Sequence, residues 1–393
     1  MKLKTLKEAK LKNKRVLLHI DVNSPVVDGK ILDNPRFKSS AETIRYLLKK
    51  GAKVAILAHQ GRRGDRDFLD LHQHAKLLSK YSGNNVKYRD GLFDKSTIDT
   101  IYELQSGESI LLENVRSYDD EISPKTEHRY KALCNHFDLF VNDAFSVCHR
   151  EQGSIVFPPK YLPSYLGLGI QNEISTLNKF NLGRKKTIYL LGGAKVDDYL
   201  PIFNKLKNKR NKILASGVLA NLLLVAKGHD LGYEKKWLKE KGYLNYLPQL
   251  TSLYKKHRHQ VILPVDFAID SNGRRTEISL HGFPIGSKIL DVGHDTVKIF
   301  KSEIKKFRSI FMKGPLGFSE MDNFSYSTVE VLEEISLLSK NKKVFSLLGG
   351  GHLTTTIAKH KIPDTFSHIS LSGGALIAYI SGEKLPGLEA LNQ

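Results

Sequence analysis

Short β-branched and leucine-rich runs recur along the chain, each separated from the next by a longer amphipathic or polar stretch. In the first half they read RVLLHID at 15–21, AKVAILAH at 52–59, SILLEN at 109–114 and DLFVND at 138–143. In the second half they read KTIYLLG at 186–192, NKILAS at 211–216, QVILPVDF at 260–267, RSIFMKG at 308–314, KVFSLLG at 343–349 and SHISLS at 367–372. Such alternation of strand and helix predicts an α/β fold with parallel sheets covered by helices on both faces. Prolines and glycines interrupt the pattern at FPPKYLPSYLGLG, residues 157–169, and a helical stretch, IQNEISTLNKF, follows. The interruption predicts a domain boundary, and the helix a joint that acts as a hinge. A chain of 393 residues also exceeds what one hydrophobic core usually serves, which again favours two domains.

Several runs end directly in a polar or glycine-bearing turn, and ligands of open parallel sheets bind at that carboxyl edge. Three turns carry the signal on the second half: Gly192, Gly193, Ala194 and Lys195 in GGAK; Gly314 and Pro315 in KGPLGFSE; and Gly349, Gly350, Gly351 and His352 in GGGH. Paired or tripled glycines let backbone amides converge on an anion at a helix start, and Lys195 adds a cation suited to phosphate. Glu320, at the end of the second turn, is placed to accept hydrogen bonds from ribose hydroxyls. The motifs GxxxxGK[ST] and GxGxxG are absent, which argues against a Walker P-loop, a protein kinase and a dinucleotide-binding design.

In the first half the cations fall just beyond strand ends: Arg36, His59 with Arg62, Arg116, and His149 with Arg150. Guanidinium groups grouped on one rim favour a multiply charged small anion, because they bind phosphate and carboxylate bidentately. Asp21 and Asn23 stand at the end of the first strand, where they either grip hydroxyl groups or start an Asx turn. No nucleophilic triad or paired-carboxylate site is visible. An anion-holding half and a nucleotide-holding half suggest transfer by positioning and charge neutralisation.

Sixty-one basic against 41 acidic residues give a formal charge of +20, which suits polyanions. The basic run NKLKNKRNK at 204–212 lacks an accompanying aromatic-rich RNA signature or zinc-finger spacing, so most of the charge is read as solvated surface. No apolar run approaches the roughly 20 residues of a membrane span, and the N-terminus lacks the apolar core of a signal peptide. The expectation is a cytoplasmic protein with no membrane partner. Cys134 and Cys148 form neither a disulfide framework nor a metal-ligand pair, and Cys148 reads as a packing residue.

DVNSP, LDNPR, AHQGR, LLENVR, VNDAF with HR, LGGAK, LPVDF, GPLG, LGGGH, HIS with SGGA, and GEKLPGLEAL follow one another in this chain. In that order they resemble the phosphoglycerate kinase family over almost the full length. His352 after the triple glycine, with LLVAKGHDLG and KGYLNYLP at 241–248, resembles the archaeal branch; most other members carry an aspartate there. The resemblance implies two Rossmann-like domains closing about the hinge helix. It assigns 1–165 to 3-phosphoglycerate, 166–365 to the nucleotide, and 366–393 to a tail returning to the first domain. It implies reversible phosphoryl transfer between ATP and 3-phosphoglycerate, giving ADP and 1,3-bisphosphoglycerate, with Mg2+, in a monomer or small homo-oligomer.

Carried onto this sequence, Asp21, Asn23, Arg36, His59, Arg62, Arg116 and Arg150 match the acid pocket, with Arg36 bridging to the transferring phosphoryl group. Lys195 matches the lysine that stabilises that group. Gly193, Ala194, Gly217, Lys313, Gly314, Pro315, Glu320 and Gly349 to His352 fall on the nucleotide side. Backbone amides near Gly350 and Ser372 are implied contacts of the phosphate, which makes both, with Arg36 and Lys195, the expected catalytic set. Departures cluster on the nucleotide side and tail: Lys313 replaces an asparagine, Leu371 and Ser372 stand in LSGGA where the family has TGGGA, Tyr199 replaces a second lysine, and the turn at 215–217 has one glycine fewer. Ser146 and Val147 also differ from the family after NDAF. Two alternatives remain open from sequence: a paralogue with weak or no turnover, and a basic nucleic-acid-binding protein.

Overall fold

The computed structural model describes residues 3–122, 127–182, 186–341 and 344–392. Its chain divides into two units, one running to Thr176 and resuming at Glu383, the other spanning Leu177–Gly382. The division falls inside the helix Leu168–Leu182.

The first unit contains β1 (Arg15–Ile20), a small hairpin of β2 (Val26–Val27) and β3 (Lys30–Ile31), and β4 (Lys53–Leu57). It continues with β5 (Val86–Tyr88), β6 (Ser109–Leu111), β7 (Leu139–Asp143) and β8 (Ser164–Leu166). Six of these form a parallel sheet in the order β5-β6-β4-β1-β7-β8. Central β1 is flanked so that His19 sits opposite Leu57 and Asn142, which brings the ends of β1, β4 and β7 to one edge. The helix Pro35–Lys49 starts with proline, whose missing amide costs nothing there, and Asn34 accepts from the Arg36 amide at 3.0 Å. Its buried face, with Phe37, Ile44, Leu47 and Leu48, joins the core around Val16, Leu18, Val54 and Ile56.

The four strands expected here are present, but two three-residue strands were not foreseen. One, β8, lies inside the stretch read as a domain break. Phe140 to Asn142 of β7 pair with it, so its prolines mark a sheet edge instead.

The second unit contains β9 (Thr187–Leu191), β10 (Lys212–Ala215), β11 (Val261–Ile262), β12 (Asp266–Ser271), β13 (Arg274–Ser279), β14 (Ile289–Val292), β15 (Ser309–Lys313), β16 (Phe345–Gly349) and β17 (His368–Ser370). A parallel sheet runs β11-β10-β9-β15-β16-β17, and β13-β12-β14 form an antiparallel sheet absent from the sequence reading. The run at 260–267, read as one strand, is two. Pro264 separates β11 from β12, whose Asp266 accepts from the amides of Asp295 and Thr296 at 2.9 and 2.8 Å and so caps the next helix. Lys343, in the run read at 343–349, lies outside the described residues.

The loops after β9, β10 and β15 meet at the carboxyl edge of this sheet through close backbone contact. Gly314 has φ of +75°, and a Cβ there would collide with the Gly192 carbonyl oxygen. Gly314→Ala is therefore expected to destabilise the protein by about 3 kcal/mol, read as a lower urea midpoint. An unchanged midpoint would show that the turn tolerates a side chain.

Candidate active site

On the first unit, the edge above β1, β4 and β7 gathers most of the residues singled out from sequence. Asp21 is buried, and its carboxylate accepts from the Arg36 guanidinium, the Ser146 hydroxyl and, at 3.0 Å, the Asn23 amide. His59 Nε2 stands 3.9 Å from it. These contacts fix the carboxylate, and Asp21 orients Arg36. Asn23 in turn accepts from the Gly61 amide at 2.8 Å, a contact between loops far apart in the chain, and the Asx-turn alternative is met by Asp21, which accepts from the Asn23 amide two residues on.

Beneath these lies a buried amide network. Gln60 accepts from the Ser24 amide at 2.8 Å and donates to the Ser24 carbonyl at 2.9 Å. Asn114 donates to the carbonyls of Gln60 and Leu69 at 2.8 and 2.9 Å, and its oxygen accepts from the Arg116 amide at 3.1 Å. Arg116 is itself buried, and its guanidinium donates to the Gly61 carbonyl. Arg150 is half-buried after a short turn, with Nε 3.3 Å from His149 Nε2, and Arg62 is exposed beside it.

The cations of this rim act on one another. Burial lowers the proton affinity of Arg116, and the neighbouring charges of Arg150 and Arg62 lower it further, opposed by Glu121 and Asp21. Arg150 is affected in the same sense by burial and by Arg62. Burial would raise the Asp21 carboxyl, but Arg36, His59 and the Ser146 and Asn23 hydrogen bonds outweigh it and hold the group below the usual carboxylate range. His59 is driven down by burial, opposed by Asp21 but assisted by Arg116. Its imidazole is therefore neutral near pH 7 and supplies hydrogen bonding, not charge.

His19 and His74 are lowered to about 4, both chiefly by burial. A histidine kept neutral in the fold binds fewer protons than in the unfolded chain. Stability should thus fall as pH drops from about 6.5 to 4, by about 3 kcal/mol for each such group. Asp143, pushed up to about 7 by burial, acts with the opposite slope, so a single-site variant is the clean test. His74→Gln should flatten the pH dependence of the urea midpoint between pH 6.5 and 4. An unchanged slope would mean that His74 does not titrate on unfolding.

On the second unit, the turns at 192–195, 314–317 and 349–352 all lie at the carboxyl edge, because Lys313 pairs with Leu191 on one side and Gly349 on the other. The amide of Gly192 donates to the Lys313 carbonyl at 2.9 Å, and that of Gly314 to Gly349 at 3.4 Å. Gly217, φ +54°, sits with its would-be Cβ 2.7 Å from Gly193 nitrogen, so the turn after β10 closes against the turn at 192–195. Ala194 and Lys195 are exposed at the tip, while Pro315 is buried. The helices Gly217–Ala226 and Gly351–Lys359 both begin at this edge with no side-chain cap, leaving amide hydrogens and the positive dipole end for an anion.

A model of the phosphoglycerate kinase family matches residues 6–383. The chain belongs to the phosphoglycerate kinase family. It is 38% identical to the phosphoglycerate kinase of Archaeoglobus fulgidus over 400 residues, covering 100% of this chain and 97% of the relative. It is likewise 38% identical to that of Methanothermus fervidus, covering 96% and 94%. The crystal structure of phosphoglycerate kinase from Pyrococcus horikoshii OT3 superposes with a TM-score of 0.91 at 36% identity, covering 99% of this chain and 98% of that one. The structure from Coxiella burnetii gives 0.81 at 25%, covering 100% and 99%. The stronger likeness to archaeal members agrees with the resemblance carried by His352.

Three positions on the nucleotide side have partners within the chain that their sequence reading did not include. Glu320, expected to face ribose, is 2.5 Å from His352 Nδ1, so the two exposed side chains are partners. The amides of Gly350 and Ser372 are directed to Ser370, to its carbonyl at 3.4 Å and its Oγ at 3.2 Å. Sequence reasoning missed Ser370 and Asp198, and passed over Gln60 and Asn114 although both stand inside quoted motifs. Buried amides carry no charge signal, so only their hydrogen bonds reveal them.

Proposed function

We propose that the protein is a phosphoglycerate kinase, catalysing reversible phosphoryl transfer between ATP and 3-phosphoglycerate to give ADP and 1,3-bisphosphoglycerate. The observation that carries this reading beyond family membership is the cluster of Arg62, Arg116 and Arg150. Their charges repel one another at a strand edge, and a ligand with a phosphate and a carboxylate relieves that repulsion. The uncapped helix starts and Lys195 suit the phosphates of a nucleotide.

In this reading Arg36, oriented by Asp21, serves the acid on the first unit, and Lys195 serves the nucleotide phosphates on the second. The acceptor is already a carboxylate, so no general base is needed; the work is to offset repulsion between anions. Gly350 and Ser372 amides contribute once they leave Ser370. Mg2+ neutralises nucleotide phosphate charge when bound. Among the described residues no group of three or more His, Cys, Asp or Glu could hold a metal; Mg2+ would come to the site with the nucleotide phosphates.

Among the described residues no helix is long and apolar enough to cross a membrane, and a cytoplasmic setting fits an enzyme of soluble phosphorylated metabolites. No observation favours a silent paralogue or a nucleic-acid binder. A coupled assay with ATP, Mg2+ and 3-phosphoglycerate tests the assignment: ADP release that requires the acid supports it, and binding of both ligands without turnover overturns it.

A further inference from the structure

Lys313 ends β15 in the middle of the second sheet's carboxyl edge, between the turn after Leu191 and the turn after Gly349. It is 6% exposed, an unusual place for an ammonium group. Its stem runs along Gly349, where an added Cβ would lie 3.6 Å from Lys313 Cδ. Nζ reaches two acceptors: Asp198 Oδ2 at 3.2 Å and the Gly373 carbonyl at 3.0 Å. The two differ in kind. Gly373 opens the helix Gly373–Ser381, so its carbonyl is part of a fixed element. The Asp198 side chain is 23% exposed and follows a tip whose next residue, Tyr199, is buried and tied by its phenol to the Gly192 carbonyl.

The local charge is unbalanced. Burial lowers the proton affinity of Lys313, Asp198 restores part of it, and Lys195 lowers it again. Among the described residues Asp198 is thus the one carboxylate paired with Lys313, at an edge that also carries Lys195 and receives two uncapped helix starts. A buried ammonium cannot simply lose its carboxylate, because the desolvated charge would then be unpaired. It can exchange that carboxylate for another anion arriving at the same place.

We propose that Lys313 and Asp198 form an exchangeable ion pair: an incoming nucleotide phosphate takes the place of Asp198 on the Lys313 ammonium, which keeps its bond to the Gly373 carbonyl. The retained bond holds the start of the helix Gly373–Ser381, with the Ser372 amide, at the phosphate. Asp198 competes with the nucleotide for one cation and keeps that cation paired while the site is empty. The proposal rests on the phosphoglycerate kinase reading and adds to it a competitor for the nucleotide, and a route from phosphate binding to the 370–373 segment.

The two partners of this pair should respond with opposite signs. Calorimetric titration of the full chain with ADP, with and without Mg2+, should show several-fold tighter binding for Asp198→Asn, because the competing carboxylate is gone. Lys313→Met should bind ADP about tenfold or more weakly, whereas Lys313→Arg retains most of the affinity. An ordinary structural salt bridge predicts losses in both, so weaker or unchanged ADP binding by Asp198→Asn overturns the proposal. A loss in that variant confined to Mg2+-containing buffer overturns it in favour of a metal contact. Should Lys313→Met fail to fold, the Asp198→Asn result alone decides by the same criterion. Absence of turnover in the parent enzyme would refute the kinase reading while leaving these opposite shifts in ADP affinity measurable.

Discussion

Lys195→Ala is expected to lower kcat by a hundredfold or more, the scale of losing one preorganised charge contact to a transition state. The lysine is exposed at the tip of the turn after β9. It is therefore free to meet a phosphoryl group whose charge shifts during transfer. The acid's KM should change little, because the arginines Arg62, Arg116 and Arg150 stand on the other unit. Melting temperature should also hold, since no buried contact is lost. A coupled assay at saturating ATP and 3-phosphoglycerate reads the effect, and turnover close to that of the parent would remove Lys195 from the mechanism.

The second large effect is expected at Arg116. Arg116→Met should reduce kcat/KM for 3-phosphoglycerate by roughly a hundredfold, as the loss of a charged hydrogen bond worth about 2–3 kcal/mol implies. Its side chain is buried against the Gly61 carbonyl and opposed by Arg150 and Arg62. This geometry adds a second readout that catalysis alone would not give. Multivalent anions such as inorganic phosphate should raise the melting temperature of the parent by linkage, and much less that of the variant. If phosphate stabilises both equally, the three arginines do not act as one anion site.

Strand positions in both sheets were legible because a strand buried on both faces needs a continuous apolar run, as in Val16 to Leu18 and Ile188 to Leu191. Short strands escaped because Val86–Tyr88 and Ser164–Leu166 are held by pairing with β6 and β7, and three residues carry no usable period. The antiparallel β12–β14 sheet escaped for another reason: β13, RRTEIS, is largely polar and partly exposed. Pro264 was visible, but its splitting of an apolar run into strands of two sheets was not.

Residue chemistry along the chain was sufficient to name the cations and glycine turns and, through their order, the family. Side-chain identity is written in the sequence, and strand-end position follows from the apolar pattern. What each group is paired with depended on contacts between residues far apart in the chain. Asp21 turned out to hold Arg36 and Ser146, His59 is neutral through burial, and Glu320 meets His352. Lys313, a substitution of uncertain consequence in one dimension, acquires meaning only when the fold brings Asp198 and Gly373 to its ammonium. Hydrogen bonds and desolvation act through space, so the charge a residue presents to a ligand is set by neighbours that only the folded chain supplies.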